Sequence, residues 1–177
     1  MPSLIVSEPM PGTSLLQFED GVTRAVVLSA AWKDLNHVRR WIDEAGLAAV
    51  YVLAGRCDGQ RAIRIGEGAK LRARLADHLS NPQLGFVTEI YVLASEAFTK
   101  AAVVRLQERL TDLALADGRA RLIAGCGPLR GFPLSQQERQ SLDLVLLFGL
   151  HMLNVAGCRA FAPLRLDAPA EPKRPRR

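Results

Sequence analysis

Three side chains able to bind phosphate esters or move protons on them recur every fourth residue in "GEGAKLRARLADHL" (66–79): Lys70, Arg74 and His78. At about 100° per residue they form one column, about 100° behind a second column of Leu71, Leu75 and Leu79. The leucines predict a buried face, so the basic column should stand at its edge, where a cleft between helix and sheet would open. An arginine there offers a phosphate a planar fork of donors, and a neighbouring lysine or histidine adds more. The competing reading is a solvated flank whose long stems cover apolar surface.

A second polar residue stands out in "VVRLQERL" (103–110). With Val103 at 0°, Leu106, Leu110 and Ala114 fall within about 60° of it, and Gln107 lands at about 40°, inside the apolar stripe. A buried amide without partners costs about 1–3 kcal/mol, so Gln107 is expected to have one. Glu108 falls on the solvent side.

These residues need elements to hold them. "AAVYVLAG" (48–55) reads as a buried strand, and "RAIRIG" (61–66) as its partner across a loop containing Asp58-Gly59. The basic helix follows and stops near Ser80, before Asn81-Pro82. "FVTEIYVLA" (86–94) is a third core strand, and Thr99–Ala116 is helical. Upstream, "SLLQFEDGVTRAVVL" predicts a hairpin turning at Asp20-Gly21. Residues 34–45 form an amphipathic helix with Leu35, Val38, Trp41 and Ile42 on one face and Gly46 as its stop. Trp32 and Trp41 should pack that helix onto the sheet. "AGCGPLRGFP" (124–133) is loop; Ser135 and Glu138 form a capping box that opens a buried helix running to Val155, with His151 packed inside it.

The order ββα–ββα–βα–loop–α predicts an α+β protein: a small, mainly antiparallel sheet flanked by helices. Its parts would be a hairpin and helix extension (1–46), a core (47–125), a loop and C-terminal helix (126–162) and a disordered basic tail (163–177).

The chain's 177 residues, 49 % of them hydrophobic, suffice for one domain with a real core. Of the net charge of +5, the tail carries +3, so the body is not a strongly basic, DNA-coating protein. Cys57, Cys126 and Cys158 lie far apart without a C-x-x-C pair, which argues against a disulfide framework or structural zinc and fits a reducing cytoplasm. No signal peptide is evident, and "LVLLFGLHML" (144–153) is too short for a membrane span. "PKRPRR" (172–177) reads as a solubilising or nonspecific phosphate-binding end.

"AVY" (49–51), "RIG" (64–66), Arg74 and His78, in that order, resemble the GIY-YIG endonuclease superfamily. That family carries its name motifs on two neighbouring strands, then an arginine eight residues after the last glycine and often a histidine four further on. "FTKA" (98–101) and the run through Leu110 extend the likeness to one bacterial subgroup, which also has a strand–strand–helix extension and a final helix after a proline-rich loop. The likeness spans roughly 15–157, with its specific motifs confined to 49–110.

The resemblance implies a GIY-YIG nuclease-like core and metal-dependent phosphodiester hydrolysis. Tyr51 would stand near the attacking water, Arg74 would hold the phosphate and its developing charge, and His78 would transfer or position a proton. Lys70 would contact a phosphate. A glutamate from the long helix would bind Mg²⁺ or Mn²⁺. The chain departs from this pattern where the metal should sit. Arg64 replaces the second motif's tyrosine, and Gln107 occupies the position expected to be the glutamate. Gly125 and Cys126 stand where the family often has an asparagine. An amide is a poor Mg²⁺ anchor, and Arg64 adds positive charge, though it would strengthen anion binding. Glu67 is the one nearby carboxylate that could substitute.

Three functions follow as expectations: a protein that binds nucleic acid, with DNA the expected partner, but cuts poorly or not at all; a working endonuclease with an altered metal site; or a protein-interaction module using the C-terminal helix. A protein partner or homo-oligomer would be compatible with each, and no membrane is implied.

Overall fold

Tyr51 and its neighbours divide their side chains between two cores. In the strand Ala49–Cys57, Ala49, Tyr51 and Leu53 point to one face of the sheet, and Val50, Val52 and Ala54 to the other. Both sets are buried, as a strand covered on both sides requires. The computed structural model describes residues 4–68, 71–79, 81–123 and 133–162.

The chain runs β1 (Leu4–Ser7), β2 (Leu16–Asp20), β3 (Val26–Ala31), α1 (Leu35–Ala45), β4 (Ala49–Cys57), β5 (Gln60–Gly68), α2 (Leu71–Leu79), β6 (Val87–Ala94), α3 (Lys100–Asp117), β7 (Arg121–Leu122) and α4 (Gln136–Val155). One seven-stranded sheet has the order β1-β2-β3-β6-β4-β5-β7. All pairings are antiparallel except the short β5–β7 contact. The α+β class and antiparallel sheet therefore hold, but the sheet is larger than expected. β3 pairs with β6 from Val26↔Ala94 to Ala31↔Glu89, so the N-terminal hairpin continues the core sheet.

α1 and α2 cover one face: Leu35, Val38 and Ile42 pack with Leu71 and Leu75 over Tyr51, Leu53 and Ile90. Trp32 and Trp41 lie part-buried against this cluster. α3 and α4 cover the opposite face, where Val103, Leu106, Leu110, Leu146, Leu150 and Leu153 meet Val50, Val52, Ile63 and Ile65.

The β4–β5 hairpin turns at Asp58-Gly59, where φ is 53° and 76°. Two left-handed residues give the two-residue turn whose twist suits antiparallel strands, and Cys57 faces Gln60 directly across it. The β2–β3 turn is longer than Asp20-Gly21 suggested. Asp20 accepts bonds from the Thr23 amide and hydroxyl, and Arg24, not Gly21, takes the left-handed conformation at φ 53°.

Helix boundaries follow the capping residues. Thr99 caps α3 by accepting from the Ala102 amide, and the Ser135–Glu138 capping box opens α4 with both reciprocal bonds. The Ser135 bonds hold the Glu138 carboxyl below its ordinary value. α4 is not buried all round, as its apolar run had suggested: Leu144, His151 and Val155 are exposed, and Leu146, Gly149, Leu150, Met152 and Leu153 form the buried stripe. Among the described residues, no helix is long and apolar enough to cross a membrane. Lys70, Gly125, Cys126 and the tail from Pro163 onward lie outside the described residues.

Candidate functional site

Gly66 decides where Tyr51 can sit. The two residues are directly opposed in the β4–β5 register. A Cβ on Gly66 would collide with the Tyr51 Cζ and hydroxyl, so the ring lies over bare backbone. Arg64, two residues earlier on β5, projects to the same face.

α2 supplies the rest. Its buried line is Leu71, Leu75 and His78, while Leu79 is 51 % exposed, which corrects the expected leucine column. The helical period accounts for the change: seven residues return to within about 20° of the start, whereas eight overshoot by about 80°. His78 therefore lies beneath the helix, 7 % exposed, and not at its edge. Arg74 stands beside this line and is part-exposed.

These placements create a short polar chain. The Tyr51 hydroxyl lies 2.7 Å from His78 Nε2, with the rings edge-on at 5.6 Å. Arg74 Nε donates to the Tyr51 oxygen at 3.2 Å. Burial holds the His78 imidazole below its ordinary value, the nearby Arg64 and Arg74 guanidiniums reinforce this, and Asp77 opposes it. A neutral imidazole can accept the Tyr51 proton on Nε2 while Arg74 donates to the Tyr51 oxygen.

Tyr51 is only 1 % exposed, so the cluster meets solvent through its arginines. The buried Tyr51–His78 pair fixes the Arg74 fork in place, and Arg64 adds a second cation on the same face. That arrangement can hold an anion by charge-assisted hydrogen bonds. Tyr51, Arg74, His78 and Arg64 thus lie together on one face of the sheet.

The carboxylate and amide side is arranged differently. Gln107 lies on α3, which packs against the opposite face of the sheet, and is part-exposed where the apolar stripe had suggested burial. Glu108 is also part-buried and pairs with Arg105 at 3.3 Å. Glu67 follows Gly66 and so faces away from Tyr51. It is 3 % exposed, and Lys100 Nζ lies 2.6 Å from each of its carboxylate oxygens. The "FTKA" motif alone does not reveal this pair, because the partners are 33 residues apart and no spacing links them.

Among the described residues, no three His, Cys, Asp or Glu side chains converge as a metal-binding group. An amide across the sheet, a carboxylate already bridged by an ammonium and an arginine beside the tyrosine do not form a fitting donor set for Mg²⁺ or Mn²⁺. In comparisons with known proteins, no family model, curated protein or solved structure matches the chain.

Proposed function

We propose that this protein binds nucleic-acid phosphates on a GIY-YIG-like core, with the family's phosphodiester hydrolysis impaired. The hydrogen-bonded chain from Arg74 through Tyr51 to His78 carries this reading. It orients a part-exposed arginine from beneath, using two buried residues that would otherwise be better replaced by apolar ones. Arg64 supplies a second donor fork, and Lys70 is the further phosphate contact that the resemblance implies.

Hydrolysis would require a group to neutralise charge on the phosphate and assist the leaving oxygen. Arg64 and Arg74 can neutralise charge. Neither can act as a base at neutral pH, and the carboxylate and amide side offers no fitting metal donor set: Glu67 is bridged by Lys100, and Gln107 lies on the helix across the sheet. Binding without efficient cutting is the consequence. DNA is the proposed partner, and its recognition would run through the backbone with little sequence preference.

The test is a mobility-shift titration of single-stranded, duplex and branched DNA at low salt, with Mg²⁺, Mn²⁺ or EDTA. The reading requires a shifted complex that Arg74→Ala weakens. Metal-dependent cleavage lost in Arg74→Ala would instead establish a working nuclease with an altered metal site.

A further inference from the structure

β1 is the outermost strand of the sheet and pairs with β2 along one edge. Along its other edge, alternate amides and carbonyls point outward, with no strand beside them among the described residues. Edge strands usually carry a device against unwanted pairing: a lysine, a proline, a bulge or an overlying helix. β1 carries none of these. It reads Leu-Ile-Val-Ser, and its register with β2 runs unbroken from Leu4↔Asp20 to Ser7↔Gln17. α4 packs over β2 and β3, and α1 beside β3 and α2, which leaves Ile5 56 % and Val6 53 % exposed.

Ile5 is the residue that the fold of one chain does not explain. It lies on the α1 face, where β2 presents the polar Gln17 and Glu19 beside it. Val6 lies on the α4 face, next to Phe18.

The strand is complementary to itself. Its side chains alternate between faces, so two copies related by a two-fold axis through the sheet must pair residues of the same face. Centred on Ile5, that pairing sets Ile5 against Ile5, and Leu4 against Val6 in both directions. Every apolar residue of β1 then meets an apolar one. Centred on Val6 instead, it would set Leu4 against Glu8. In the Ile5 register the two Glu19 carboxylates stand three strand spacings apart, about 14 Å, where salt screens their repulsion.

We propose that β1 is a homodimer interface: a second copy of this chain adds its own β1 antiparallel, centred on Ile5, and two seven-stranded sheets join as one. The backbone ladder supplies the hydrogen bonds, and the Ile5–Ile5 and Leu4–Val6 pairs supply the apolar contact. A strand of four residues makes a small interface, below the roughly 800 Å² per partner of a standard one, so the dimer is weak and reversible.

Sedimentation velocity of the full chain, from about 1 μM to about 100 μM, tests this. Monomer should predominate at the low end and dimer at the high end, as an interface of this size implies. Ile5→Lys and Val6→Lys should each weaken dimerisation by at least roughly tenfold, because each sets a charge into the apolar pairing. Leu115→Lys, on the exposed side of α3, should leave it unchanged. All three side chains are at the surface, and circular dichroism would confirm that the variants fold. In the unsubstituted chain, hydrogen exchange of the β1 amides should slow as concentration rises. A monomer at every concentration, or a dimer indifferent to both edge substitutions, would overturn the proposal. So would a dimer that depends on Leu115, or growth beyond two copies, which a strand closed on itself forbids.

Discussion

The Tyr51 hydroxyl and His78 Nε2 lie 2.7 Å apart, although 27 residues separate them in the chain. One comes from the central strand β4 and the other from the last turn of α2. Removing the hydroxyl with Tyr51→Phe strips a partner from both His78 Nε2 and Arg74 Nε. The loss should lie in the range of about 1–3 kcal/mol for unpaired buried polar groups. Urea unfolding would measure it as a lower midpoint with an unchanged slope.

Gly66→Ala should act on the same hydroxyl without touching it chemically. The new methyl would collide with the end of the Tyr51 ring, on a strand that β4 holds rigidly in register. We expect destabilisation of about 1–3 kcal/mol from overpacking. DNA binding should fall as well, because displacing Tyr51 releases Arg74. A fully stable Gly66→Ala variant with intact binding would contradict this packing.

The pH response should come partly from His78. Its folded-state value is held below the ordinary 6.5, so the unfolded chain takes up the proton more readily. The resulting stability is fully present above about pH 6.5 and is lost as pH falls through the lower folded value. Melting temperature should therefore drop between about pH 7.5 and pH 5, and drop less in His78→Gln, which removes the titrating ring. Equal pH dependence in both proteins would assign the effect to other groups.

Much of this arrangement is legible in the sequence because it depends on local period and turn chemistry. Asp58-Gly59 marks the hairpin that brings Arg64 and Gly66 beside Tyr51, and the four-residue spacing puts Arg74 and His78 on one side of α2. The burial of His78 was hidden by counting in fours. A stripe read at positions 71, 75 and 79 drifts off the core, whereas 71, 75 and 78 stay on it. β1 was missed for another reason: it is an edge strand of four mostly exposed residues without apolar alternation. The position of Gln107 relative to Tyr51 was unreadable, because it depends on which sheet face α3 covers. Period within a helix carries no information about that choice.

Glu67 and Lys100 give a test of the α3 side of the sheet. Lys100→Met would leave a 3 % exposed carboxylate without its ammonium partner. Lys100 is half exposed, so water can partly compensate, and a cost of about 1–3 kcal/mol is expected. Adding Glu67→Gln should recover part of that loss. A double-mutant cycle by chemical denaturation would show the coupling, and additive single effects would argue against the pair.

The most direct test of the central claim is fluorescence anisotropy of labelled DNA with the wild-type chain and Arg74→Ala, across a salt series in EDTA and in Mg²⁺. The account predicts affinity that falls with salt as phosphate contacts require, at least roughly tenfold weaker binding for Arg74→Ala, and DNA that stays intact in Mg²⁺. Binding that ignores Arg74, or cleavage in Mg²⁺ that needs it, would contradict the account.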